Sequence, residues 1–65
     1  MKIDMQARTL VEAATEQVPM PWALRTVPAA QHLTDEHWER LAALATIRWQ
    51  DAVAEARKLV EAVGE

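Results

Sequence analysis

The chain contains no cysteine, serine, asparagine, tyrosine or phenylalanine, and its single glycine is Gly64. The lack of cysteine excludes disulfides, thiolate metal sites and a cysteine nucleophile. The lack of internal glycine excludes a phosphate-binding loop, because glycine is what lets the backbone amides cradle a phosphate. These absences remove most catalytic and nucleotide-binding motifs, and they leave the packing of apolar side chains as the source of stability.

Positive charge is also scarce, since ten acidic residues stand against seven basic ones and the net charge is −3. Proteins that bind nucleic acid or anionic membranes need clustered Lys and Arg, so neither partner is expected. The charge-free stretch at residues 17–24 carries two prolines and is far shorter than the roughly 20 apolar residues that cross a bilayer. We therefore expect a soluble, cytoplasmic protein.

The first part of the chain has the apolar spacing of one helical face and predicts a helix over about residues 3–18. Asp4 and Arg8 form an i,i+4 pair that supports this helix. An alternative takes Lys2 to Gln6 as a short strand that opens a ribbon–helix–helix regulator. The apolar positions of the helical pattern are Ile3, Ala7, Leu10, Val11, Ala14 and Val18.

Residues 19–33 are predicted to connect two helices, because three prolines interrupt regular structure there. The segment is unusually apolar for a linker, and we expect its apolar side chains to lie against the helices. The prolines are Pro19, Pro21 and Pro28, and the apolar residues are Met20, Trp22, Leu24, Val27 and Leu33.

A long helix is predicted over residues 34–63, capped by Thr34 and free of helix breakers as far as Val63. Its length would be about 45 Å at 1.5 Å per residue. Apolar residues follow the unbroken 4-3-4-3 spacing of a coiled coil or helical bundle. We call these positions the seam: Trp38, Ala42, Ala45, Trp49, Ala52, Ala56, Leu59 and Val63. Leu44 and Ile47 would lie on a second apolar face of the same helix.

The two predicted helices differ in length, with apolar stripes of about 22 Å and about 37 Å. The shorter helix cannot cover the longer one. We therefore expect part of the long stripe to meet a second polypeptide, either another copy of the chain or a larger protein.

One cluster of polar side chains resembles a ligand set, at the start of the long helix: His32, Asp35, Glu36 and His37. The two histidines are five positions apart, whereas helical metal sites use pairs at i,i+3 or i,i+4. The carboxylates are explained by the helix N-terminus and by the pair that Glu36 forms with Arg40. We therefore assign no metal, no cofactor and no catalytic residue.

The sequence thus predicts an all-α protein, a single domain over residues 1–65, with two unequal helices in an antiparallel hairpin. The predicted function is a non-enzymatic protein–protein interaction module: an accessory subunit, assembly factor or inhibitor that presents an apolar helix face. The alternative is a small dimeric DNA-binding regulator with its recognition helix over residues 34–48. The candidate partner-binding residues are Trp22, Trp38, Leu41, Leu44, Ile47 and Trp49.

Overall fold

A computed structural model describes residues 2–64 of the chain and the side chains of residues 3–63. Four α-helices pack together: α1 (Lys2–Ala14), α2 (Met20–Thr26), α3 (Asp35–Ile47) and α4 (Trp49–Gly64). A 3₁₀ helix, Pro28–His32, links α2 to α3. The prediction of an all-α fold is confirmed, and residues 2–64 contain no strand. The predicted number of helices is wrong, because both the connector and the long helix divide further.

Helix α1 begins at Lys2, so the alternative in which a strand opens the chain is wrong. The helix ends at Ala14 rather than at Val18, because Glu16 adopts a left-handed conformation with a φ of 64°. The amide of Glu16 then bonds the carbonyl of Ala13, and the amide of Gln17 bonds that of Glu12. This pair of bonds is the Schellman motif, which turns the chain out of a helix.

The connector is mostly helical rather than irregular. Pro21 is the second residue of α2, and Pro28 is the first residue of the 3₁₀ helix. Amides in a first helical turn have no intrahelical acceptor, so proline is tolerated there and starts a helix instead of preventing one. As expected, the connector contributes to the core through buried Val27, with Leu24 and Leu33 packed against it.

The long helix predicted over residues 34–63 is interrupted at Arg48, whose backbone is extended with φ −156° and ψ 118°. The Arg48 amide bonds the carbonyl of Leu44 at 2.7 Å and so closes α3. The Arg48 carbonyl accepts from the amides of Asp51 and Ala52 and so opens α4. The bend replaces a rod of about 45 Å with a molecule only 28 Å along its longest axis.

Burial of the apolar seam explains the bend. Folding α4 back brings it against both α3 and α1, and Leu41, Ala52 and Ala56 become completely buried. A straight rod would leave much of this surface in water, at about 25 cal/mol for each Å². The buried residues of the core are Ala7, Leu10, Val11, Val27, Ala29, Ala30, Leu41, Ala52, Ala56 and Val60.

The bend also removes the mismatch in length from which a second polypeptide was inferred. Helices α3 and α1 both pack against α4, so the chain itself covers part of the long stripe. Self-association therefore remains a prediction, but the difference in length between the apolar stripes no longer supports it.

Among the described side chains, two ion pairs join different helices. Asp4 at the start of α1 contacts Arg57 of α4 at 3.1 Å, and Arg40 of α3 contacts Glu55 of α4 at 3.6 Å. Asp4 and Arg40 were expected to pair within their own helices. They pair across the fold because the bend at Arg48 brings α4 alongside.

Candidate interaction surface

The structure separates the six candidate residues by exposure. Leu41 is completely buried, so in the single chain it belongs to the core and not to the surface. Three others, Trp38, Leu44 and Trp49, are half-buried and pack against that core. Of the six, only Trp22, which is 47% exposed, and Ile47, which is 81% exposed, are exposed to solvent.

Ile47 and Leu44 do not form the second apolar face that a straight helix would have given them. Leu44 packs against the core, whereas Ile47 is the last residue of α3 and stands exposed at the bend. Neighbouring Arg48 is exposed as well. Ile47 is therefore an exposed apolar side chain next to a charged residue in the sequence, which is common on protein surfaces.

Trp22 instead shares its surface with Met5, which is 69% exposed. Together they line a groove of about 230 Å³ where α1 and α2 meet. Met5 and Thr9 are one turn apart on α1, and Trp22 and Thr26 are one turn apart on α2, so each helix contributes one edge. Gln6 and Val27 complete the lining.

Among the side chains that the structure describes, none that lines the groove is charged. Its two threonine hydroxyls are satisfied within their own helices: Thr9 Oγ1 donates to the carbonyl of Met5 at 3.0 Å, and Thr26 Oγ1 donates to that of Trp22 at 2.7 Å. The threonines therefore need no hydrogen bond from a ligand. Such a lining favours the binding of an apolar group over the binding of an ion.

Met5 was missed by the sequence analysis. It lies outside the apolar stripe of α1. The sequence feature that could have identified it is a large apolar residue on the otherwise polar face of an amphipathic helix. In the sequence alone, a single methionine in that position does not indicate a binding surface, because only the folding of α2 places Trp22 beside it.

Two larger surface depressions do not assemble a reactive site from the described side chains. One, of about 430 Å³, follows the turn from α1 to α2, and among the described residues that line it only Glu16 is titratable. The other, of about 330 Å³, lies beside α4 and brings Arg8 and Arg57 near Trp49. Neither brings together an acid, a base and a nucleophile, as catalysis would require.

The cluster at the start of α3 has a structural role. His37 Nδ1 accepts a hydrogen bond from the amide of Thr34 at 3.1 Å, and Thr34 Oγ1 accepts from the amide of His37 at 3.4 Å. The predicted Thr34 cap is confirmed, and His37 fills the place that Glu or Gln takes in a capping box. Across the described part of the chain, no three His, Cys, Asp or Glu side chains are grouped so that they could share a metal ion.

No family model, curated protein or solved structure matches this chain. Among residues 2–64, no helix has both the length and the apolar character needed to cross a bilayer. The case for function therefore depends on the surface itself.

Proposed function

We propose that the chain is a non-enzymatic interaction module that binds a partner protein through the groove between α1 and α2, with Trp22 and Met5 as the main contacts. One observation carries the proposal: these two large apolar side chains are exposed side by side. Most of the other large apolar residues, by contrast, are buried or packed against the core. A cytoplasmic location is part of the same proposal.

The residue types support a protein partner. Trp is enriched among the residues that dominate binding energy at protein interfaces. Met is flexible and polarisable, so it adapts to differently shaped apolar partners. The groove volume of about 230 Å³ is below the range of about 300–1,000 Å³ usual for small-molecule sites. A groove of this size suits an apolar side chain inserted from a partner's surface.

The groove fits each of the three roles expected from the sequence. An accessory subunit, an assembly factor and an inhibitor all need a small rigid body that holds an apolar surface towards a larger protein. Helices α1 and α2 supply that rigidity, because Leu10 of α1, Ala23 of α2 and Val27, which follows α2, are completely buried.

Affinity capture from the cell of origin tests the proposal with two matched variants. Trp22→Ala removes the groove's largest side chain, and Ile47→Ala removes the exposed isoleucine at the bend. We expect the wild type and Ile47→Ala to capture the same protein, and Trp22→Ala to bind it about thirty-fold more weakly, as loss of a strong interface contact does. The circular dichroism of all three should agree, because neither Trp22 nor Ile47 belongs to the core or packs against it.

The reverse pattern, with capture lost in Ile47→Ala and kept in Trp22→Ala, would contradict the groove and assign binding to the bend. Equal capture by all three proteins would contradict a role for either side chain.

A further inference from the structure

We propose that two copies of this chain form a domain-swapped dimer by straightening at Arg48. In each copy α3 and α4 would join into one continuous helix, and α4 would pack on α1 and α3 of the other copy. This inference is independent of the groove between α1 and α2.

The sequence around the bend favours a continuous helix. Residues 46–50 read Thr-Ile-Arg-Trp-Gln and contain neither proline nor glycine. The seam continues across the bend without a change of spacing, through Ala45, Trp49 and Ala52. The break is therefore not encoded locally. It exists because α4 finds its apolar partners by folding back.

The bend leaves backbone hydrogen bonds unmade. A continuous helix would join the amides of Trp49, Gln50 and Asp51 to the carbonyls four residues earlier. Within residues 2–64 these three bonds are not formed, and Asp51 bonds the carbonyl of Arg48 instead. Straightening would form all three, and these hydrogen bonds would stabilise the extended chain relative to the bent one.

Straightening alone would expose the core, and a second copy prevents this. Leu41 of α3 and Ala52 and Ala56 of α4 are completely buried against one another's helices in the bent chain. If α4 is exchanged between copies, each of these contacts re-forms between chains. The pairs Arg40–Glu55 and Asp4–Arg57 re-form in the same way. The dimer thus keeps the contacts of the monomer and adds the helical bonds at the hinge.

A one-residue hinge makes the exchange favourable. Only Arg48 lies between α3 and α4, so the closed chain must turn within a single residue. Short hinge segments favour swapping because the open form lets them relax into regular structure. The exchange requires α4 to leave the core of its own chain, and high concentration favours its packing on a second copy.

The distance between two residues of the same chain distinguishes the bent monomer from the swapped dimer. Positions 36 and 61 lie on exposed residues of α3 and α4. On a continuous helix their Cα atoms would be about 37 Å apart. In the bent chain the whole molecule measures 28 Å along its longest axis. The natural absence of cysteine allows spin labels to be placed through Glu36→Cys and Glu61→Cys alone.

The experiment refolds labelled chain from denaturant at millimolar concentration with an excess of unlabelled chain, so that only distances within one chain are seen. We expect a species of twice 7.3 kDa whose label separation centres near 37 Å, alongside a monomer with the shorter distance. Absence of a dimer at millimolar concentration would overturn the proposal. A dimer that keeps the shorter distance would overturn it as well.

A matched pair of variants at the exposed Gln50 tests the hinge directly. Gln50 is the second residue of α4, the position that Pro21 occupies in α2. Gln50→Pro is therefore compatible with the bent chain, but it blocks a continuous helix by removing an interior bond. We expect Gln50→Pro to stay monomeric and Gln50→Ala to dimerise at least as well as the wild type. Dimerisation of Gln50→Pro with the long label distance would contradict the straightened hinge.

Discussion

Arg40 and Glu55 approach to 3.6 Å between Arg40 Nε and Glu55 Oε2, although on a straight helix their Cα atoms would lie about 22 Å apart. The contact marks the return of α4 along α3 after the bend at Arg48. Arg40 is 65% exposed, so the pair itself contributes little to the free energy of unfolding. The bend is held by the apolar residues that it buries.

The first prediction compares Leu41 with Ile47, both candidates from the sequence and now at opposite extremes of exposure. Leu41→Ala should lower the free energy of unfolding by about 2–5 kcal/mol, because it removes a fully buried side chain and leaves a cavity. Ile47→Ala should change it by less than about 0.5 kcal/mol. Urea denaturation followed by circular dichroism measures both, and equal effects would contradict the bend.

The second prediction tests close packing on α4. Ala52 is completely buried and Ala54 is exposed, two positions along the same helix. Ala52→Leu should overpack the contact and cost about 1–3 kcal/mol. Ala54→Leu should be nearly neutral, since leucine forms helices almost as well as alanine. A thermal midpoint that is unchanged in Ala52→Leu would mean that α4 does not face the core through Ala52.

The third prediction concerns the turn after α1. Glu16 holds a left-handed conformation that costs a residue with a Cβ atom about 1–2 kcal/mol. Glu16→Gly should therefore stabilise the chain by about 1 kcal/mol, which raises the Tm of a domain of this size by about 4–8 °C. The control is Glu16→Ala, which removes the same charge but keeps the Cβ atom. If both variants raise the Tm equally, the gain comes from charge and not from backbone conformation.

The helical class, the Thr34 cap and the apolar connector were predictable because each depends on a local pattern. Periodicity identified the face of α1, and the residues that follow Thr34 identified the start of α3. The prolines are harder to interpret: three prolines in one segment predict an interruption, but Pro21 and Pro28 lie in first helical turns, where proline is tolerated.

The bend at Arg48 could not be predicted in this way. Nothing between Thr46 and Gln50 opposes a helix, and the seam runs straight through. Tertiary burial overrides local preference when a short chain must cover its own apolar surface, as it does here for Leu41 and Ala52. The groove was missed for a related reason, because Met5 and Trp22 become neighbours only after α2 forms.

Site-specific photo-crosslinking tests the central claim, that the groove holds a partner, most directly. A photoreactive phenylalanine analogue is placed at Thr26, which is exposed and lines the groove, or at Ala43, which is exposed on α3. We predict that the Thr26 probe crosslinks a discrete protein in the cell of origin and that the Ala43 probe does not. Excess unlabelled wild-type chain should suppress the Thr26 crosslink, and excess Trp22→Ala should not. A crosslink of equal strength from Ala43, or equal suppression by Trp22→Ala, would contradict the account.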